Sequence, residues 1–233
     1  MRTLISLGWS PNRALTFFRT LSSLSEEVPM LPQFLFEYGK PQPDLDILEI
    51  ESVQGLPIAA YSAIVTSLLV HKNNVKGVRL NNLDLTQEII PVLQFLMNSK
   101  EKRIIEITLN STRIKDEGAY RLLQFSRINS TYSIQIMRLE ECDISSQGGI
   151  YISALLKEVD YVHTSMRLSV LSLRGNNIGK IGAETIIFAL RTNTSLKYLD
   201  LSDNRVYNLA LNIVFDMLKV NKTLQLLYLH DNR

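Results

Sequence analysis

The sequence predicts an α/β fold: a right-handed solenoid arc whose short strands form a parallel inner sheet and whose helices lie outside it. Three observations predict it. The spacing L-x-x-L-x-L-x-x-N opens at Leu168, Leu196 and Leu224, at a constant interval. Apolar positions of helical period follow the first two of these openings, and weaker copies of the opening run back to Leu45. Self-similarity at a fixed period marks units that cannot bury a strand face and a helix stripe alone, but bury both when stacked.

The unit at Leu168 shows why each element should form. In Leu168-Ser169-Val170-Leu171-Ser172-Leu173 the leucines at places four and six alternate with other residues, so they share one face of a short strand. Asn176 at place nine arrives where the chain must turn. Its amide can satisfy loop N–H and C=O groups that would otherwise be buried without partners. Ile181, Gly182, Ala183, Ile186, Ile187 and Leu190 then supply a helical apolar stripe, with Ala183 small enough for close packing.

These three units resemble the leucine-rich repeat, specifically the ribonuclease-inhibitor-like class, whose units of about 28–29 residues carry an α-helix on the convex side. The resemblance implies a horseshoe arc that acts as a non-catalytic protein–protein interaction scaffold. Similar repeats serve as ribonuclease inhibitors, as sensing regions of innate immune receptors, as caps of actin filaments and as effectors secreted by intracellular bacteria. The activator of the nuclear-transport GTPase also resembles this class. An alternative is therefore a regulator of a partner enzyme, with Arg113 of the loop Thr112-Arg113-Ile114 as its contact. A structural subunit of a cytoskeletal or ciliary assembly is a further one.

Residues 1–44 do not fit the repeat. Ser10-Pro11 is a helix start, an N-cap followed by proline at the first helical position, and a helix to about Leu24 should follow. Residues 28–45 are proline-rich and read as extended. A terminal unit must shield its open core edge, so 1–44 are expected to be an N-terminal cap or flank. Residues 45–233 form the repeat domain, about six full units and a partial seventh. Their openings fall at Leu45, Val75, Ile104, Ile134, Leu168, Leu196 and Leu224, nearly evenly spaced except for a longer step between Ile134 and Leu168. Helical patterns are expected over 57–69 and 85–96, and from Gly118-Ala119 and Gly148-Gly149. Place nine is Thr112 and Cys142 in the third and fourth units, which the family accepts, but Val53 and Leu83 in the first two. The long unit carries its extra residues within 159–166, as a loop near the binding side or a longer helix. The seventh unit stops at Asn232-Arg233 without a helix. That should uncover Ile213, Phe215, Leu218 and Leu229, so a piece of a longer protein is expected.

Composition narrows the function. Of 233 residues 45% are hydrophobic, an ordinary globular share, and 25 basic against 23 acidic residues leave +2, no footprint for nucleic acid. Cys142 is the only cysteine, which excludes an intrachain disulfide and favours a reducing, cytoplasmic compartment. No apolar run approaches a membrane span. Phosphate-loop, nucleophile-elbow and zinc-helix motifs are missing, and His71, His163 and His230 lie far apart, so no enzyme, metal or cofactor is expected. Glu140 and Glu141 are neighbours on a strand path and should point apart. The glycosylation signals at Asn110, Asn129, Asn193 and Asn221 read as unmodified turn chemistry.

Surface remains. With places one, four and six in the core, places three, five and seven line the concave sheet. Ile136, Val170, Tyr198 and Leu226 then form an apolar row across four strands, with Arg138, Arg174, Asp200, Tyr228 and His230 beside it. An apolar strip rimmed by polar groups and holding Arg and Tyr is the composition of a protein-binding patch.

Overall fold

The computed structural model describes residues 47–51, 76–82, 104–128, 134–157 and 167–232. Seven strands form one parallel sheet in sequence order: β1 (Ile47–Glu51), β2 (Gly77–Asn81), β3 (Glu106–Asn110), β4 (Ile136–Arg138), β5 (Val170–Ser172), β6 (Tyr198–Asp200) and β7 (Leu226–Tyr228). Four helices are described: α1 (Lys115–Ile128), α2 (Ser146–Leu156), α3 (Gly179–Ala189) and α4 (Leu211–Val220). Each strand pairs only with its neighbours in the chain. Ile47 faces Gly77, then Glu106, Ile136, Val170, Tyr198 and Leu226 follow across the sheet. Each of these residues is the third place of its unit, so the register equals the spacing of the openings and like places stand beside like places. The expected cap at 1–44, the helices over 57–69 and 85–96, and the extra segment at 159–166 lie outside the described residues.

The core sits between sheet and helices. Leu168, Leu171, Leu173, Leu196, Leu199 and Leu201 are wholly buried and join Ala119, Leu122, Ile152, Ala183, Ile186 and Ile187 of the helices in one cluster. Ile181 departs from expectation. It lies one residue ahead of the buried stripe, so the helical period turns it to the surface. Helices α2 and α3 meet at Gly149 and Gly182. A Cβ at Gly149 would stand 2.8 Å from the Gly182 Cα, so glycine permits the approach.

The loops after the strands carry a ladder of polar side chains. Asn176 donates from Nδ2 to the carbonyls of Leu139 and Leu173, both at 2.7 Å, and its Oδ1 accepts from the N–H of Cys142 (2.9 Å) and Ile144 (3.0 Å). Asn204 donates to Leu173 and Asn232 to Leu201, one unit back in each case. Cys142 fills the same place by donating from Sγ to the Leu109 carbonyl at 2.9 Å, and Thr112 reaches that of Leu80 at 3.4 Å. The residue before each rung adopts the left-handed conformation, Ser111, Glu141, Gly175, Asp203 and Asp231, as does Asn82 at the same place of the second unit. That twist extends the ladder past the strands, as Ser111 N–H donates to the Glu140 carbonyl and Glu141 N–H to that of Arg174. Glu140 and Glu141 thus lie on a turn rather than a strand, and Glu141 accepts from the Ser111 hydroxyl instead.

A second ladder joins the helix ends. Asn193 donates from Nδ2 to the Leu156 carbonyl, while its Oδ1 accepts from the N–H of Ser195 and Leu196. Asn221 repeats this one unit later with Leu190, Thr223 and Leu224. Two of the four glycosylation signals are therefore buried structural amides.

On the outer side of α4 no described element packs. Leu211, Phe215 and Leu218 are about half exposed, whereas their counterparts one unit earlier, Ala183, Ile187 and Leu190, are buried. Ile213 and Leu229 keep partial cover.

Candidate functional site

Strand alternation turns places three, five and seven of β2–β7 away from the helices. Among them Ile136, Val170 and Tyr198 are half-buried and Leu226 is 49% exposed. Backbone register puts these four in one row, each facing the next. The row foreseen from the spacing is therefore a physical strip.

The polar residues beside it divide. Arg174 and His230 are exposed, Tyr228 is 39% exposed and Arg138 is half-buried. Asp200 differs from expectation, being 7% exposed. Its Oδ1 accepts from the Ser202 N–H at 2.9 Å, and Oδ2 lies 3.4 Å from the Tyr198 hydroxyl. Ser172 and Ser202 are buried as well. The Ser202 N–H and the Tyr198 hydroxyl hold the Asp200 carboxylate in, with Tyr228 next to it across the strand pair. Asp200 underlies the face rather than lining it.

Two clusters emerge that the spacing did not reveal. Tyr198 and Tyr228 rings lie 5.4 Å apart at 39°, and His230 meets Tyr228 edge-on at 6.2 Å and 87°. His230 Nδ1 is 2.8 Å from the Asp231 carboxylate. Burial, then the charge and hydrogen bond of Asp200, with Tyr228 and Glu140 behind them, raise the Tyr198 hydroxyl above its usual range.

Glu106 organises the other cluster. It bonds Arg79 Nε at 2.8 Å and Arg138 Nη1 at 3.4 Å, and accepts from the Thr108 hydroxyl. Burial pushes its carboxyl up, but the two arginines and Thr108 outweigh that and hold it below the usual value. Opposite charges at places five, three and five of adjacent strands were the available signal.

Cys142 is not part of either cluster. It is buried in the ladder, and desolvation pushes its thiol up to about 12. Among the described residues no helix is long and apolar enough to cross a membrane.

A strand–turn–helix unit repeated in register, with an amide ladder through its loops, defines a repeat protein of α/β class. The family model described as Leucine Rich repeat matches residues 164–186 and 192–206, which hold β5, most of α3, and β6. Those two segments resemble leucine-rich repeats, a module that generally mediates protein–protein interaction. No curated protein matches the chain.

Proposed function

We propose that this chain is a non-catalytic scaffold that binds a partner protein on the concave face of a right-handed, horseshoe-shaped solenoid of the ribonuclease-inhibitor-like class. Residues 45–233 form that solenoid, 1–44 shield its first unit, and the protein works in the cytoplasm. The observation that carries this reading is the apolar strip Ile136, Val170, Tyr198 and Leu226, continuous across four hydrogen-bonded strands. Large flat contacts of this kind gain their affinity from aromatic and arginine anchors, which Tyr198, Tyr228 and Arg174 supply. A non-catalytic role is supported by Cys142, whose raised thiol keeps it from acting as a nucleophile at neutral pH.

The test is an affinity capture from cell lysate with the parent chain and with a Tyr198→Ala, Tyr228→Ala, Arg174→Ala triple variant. Circular dichroism confirms that both are folded. A partner held by the parent and lost by the folded variant places binding on this face. Equal retention by both would move the contact to residues 1–44 or to the helices.

A further inference from the structure

The corner of the sheet face at β6 and β7 has a chemistry of its own. Three rings gather there, with Tyr228 tilted against Tyr198 at 5.4 Å and meeting His230 edge-on at 6.2 Å. Asp200 stands opposite Tyr228 in the sheet register, and its carboxylate is tied to the Ser202 N–H and the Tyr198 hydroxyl. Asp231 lies against His230. An aromatic face carries negative electrostatic potential, and a carboxylate beneath it adds to that potential.

We propose that this corner receives a cationic side chain of the partner protein, an arginine or lysine laid over the exposed Tyr228 ring. The proposal rests on the concave-face reading above. Charge complementarity selects the occupant. After burial itself, Asp200, Tyr228 and Glu140 all raise the Tyr198 hydroxyl, the mark of a negative surrounding. Arg138, the half-buried arginine of the face, is drawn to Glu106 at 3.4 Å. An anionic group placed here would meet the negative faces of the tyrosines with the Asp200 carboxylate beneath them. A guanidinium or ammonium gains from the rings and the carboxylates together, and part of its hydration is replaced by the tyrosine face.

The probe is a displayed library of random peptides selected on the immobilised full chain, with the best binders measured by calorimetry. Binders should contain arginine or lysine, and changing that residue to glutamine should weaken binding at least about threefold. The same change should have no effect on Tyr228→Leu and a reduced effect on Asp200→Asn, both checked for folding by circular dichroism. Binders that fail on Tyr198→Ala or Arg174→Glu but need no cation would overturn this proposal and leave the concave-face reading standing. Binders indifferent to Tyr198, Tyr228 and Arg174, or a library yielding no binder, would count against both.

Discussion

Replacing Asn176 by alanine tests whether the amide ladder holds the units together. Asn176 is 7% exposed and bonds two carbonyls, Leu139 and Leu173, and two N–H groups, Cys142 and Ile144, all within 3.0 Å. Its loss leaves three buried main-chain groups without partners, the Leu139 carbonyl and the N–H groups of Cys142 and Ile144, while the Leu173 carbonyl keeps Asn204. Each such group costs about 1–3 kcal/mol, so independent losses would total about 3–9 kcal/mol. Water entering the space of the missing amide recovers part of this, and a net cost of about 3–5 kcal/mol is expected. Asn232 makes comparable bonds at the last rung but is only half-buried. Solvent can replace them, and Asn232→Ala should cost about 1–2 kcal/mol. Urea unfolding followed by far-UV circular dichroism measures both, with the slope against denaturant as a check on the comparison. An Asn176→Ala cost below about 1.5 kcal/mol, or no larger than that of Asn232→Ala, would refute the ladder as the unit-to-unit fastening.

Other expectations follow from the same contacts. Gly149→Val drives side-chain atoms into the Gly182 backbone, 2.8 Å from an added Cβ, and should lower stability by about 1–3 kcal/mol in the same unfolding assay; Gly149→Ala should cost less. Desolvation holds the Cys142 thiol up to about 12, while an unfolded thiol ionises near 9.0. Stability is thus intact below about pH 9 and falls as pH rises toward 12, at up to about 1.4 kcal/mol per pH unit. In Cys142→Ala that component of the alkaline fall should vanish, so equal slopes for parent and variant would contradict it. Glu106, held below the usual carboxylate value, acts in the opposite direction: its contribution is present above the ordinary carboxylate pKa and lost as acid titrates the folded protein. Glu106→Gln should flatten the acid limb of the stability profile. Peptide mapping of folded protein made through a secretory route should find Asn193 and Asn221 without glycan, since both amides donate to main-chain carbonyls in the interior.

Sequence alone determined the arrangement of the units. Leucine spacing specifies which side of each strand is apolar, and the repeat period specifies which residues stand side by side, because equal places must stack to bury equal surfaces. That is why the row from Ile136 to Leu226 could be read before the fold was seen, and why Cys142 and Thr112 could be recognised as rungs beside Asn176. Local chemistry was enough for these, since each depends on a pattern along the chain.

What the tertiary structure decided is how side chains of different size share one face. Asp200 and Tyr228 occupy the same place in adjacent units, yet one is buried and the other exposed, because coverage depends on which side chains close over each place. The Arg79–Glu106–Arg138 cluster and the second ladder from Asn193 to Asn221 have the same origin. Exposure of Ile181 turned on the phase of one helix, which periodicity places only within about a residue. Repetition is a property of the chain and can be read along it; coverage and pairing belong to the spaces between units, where only the folded geometry sets distance.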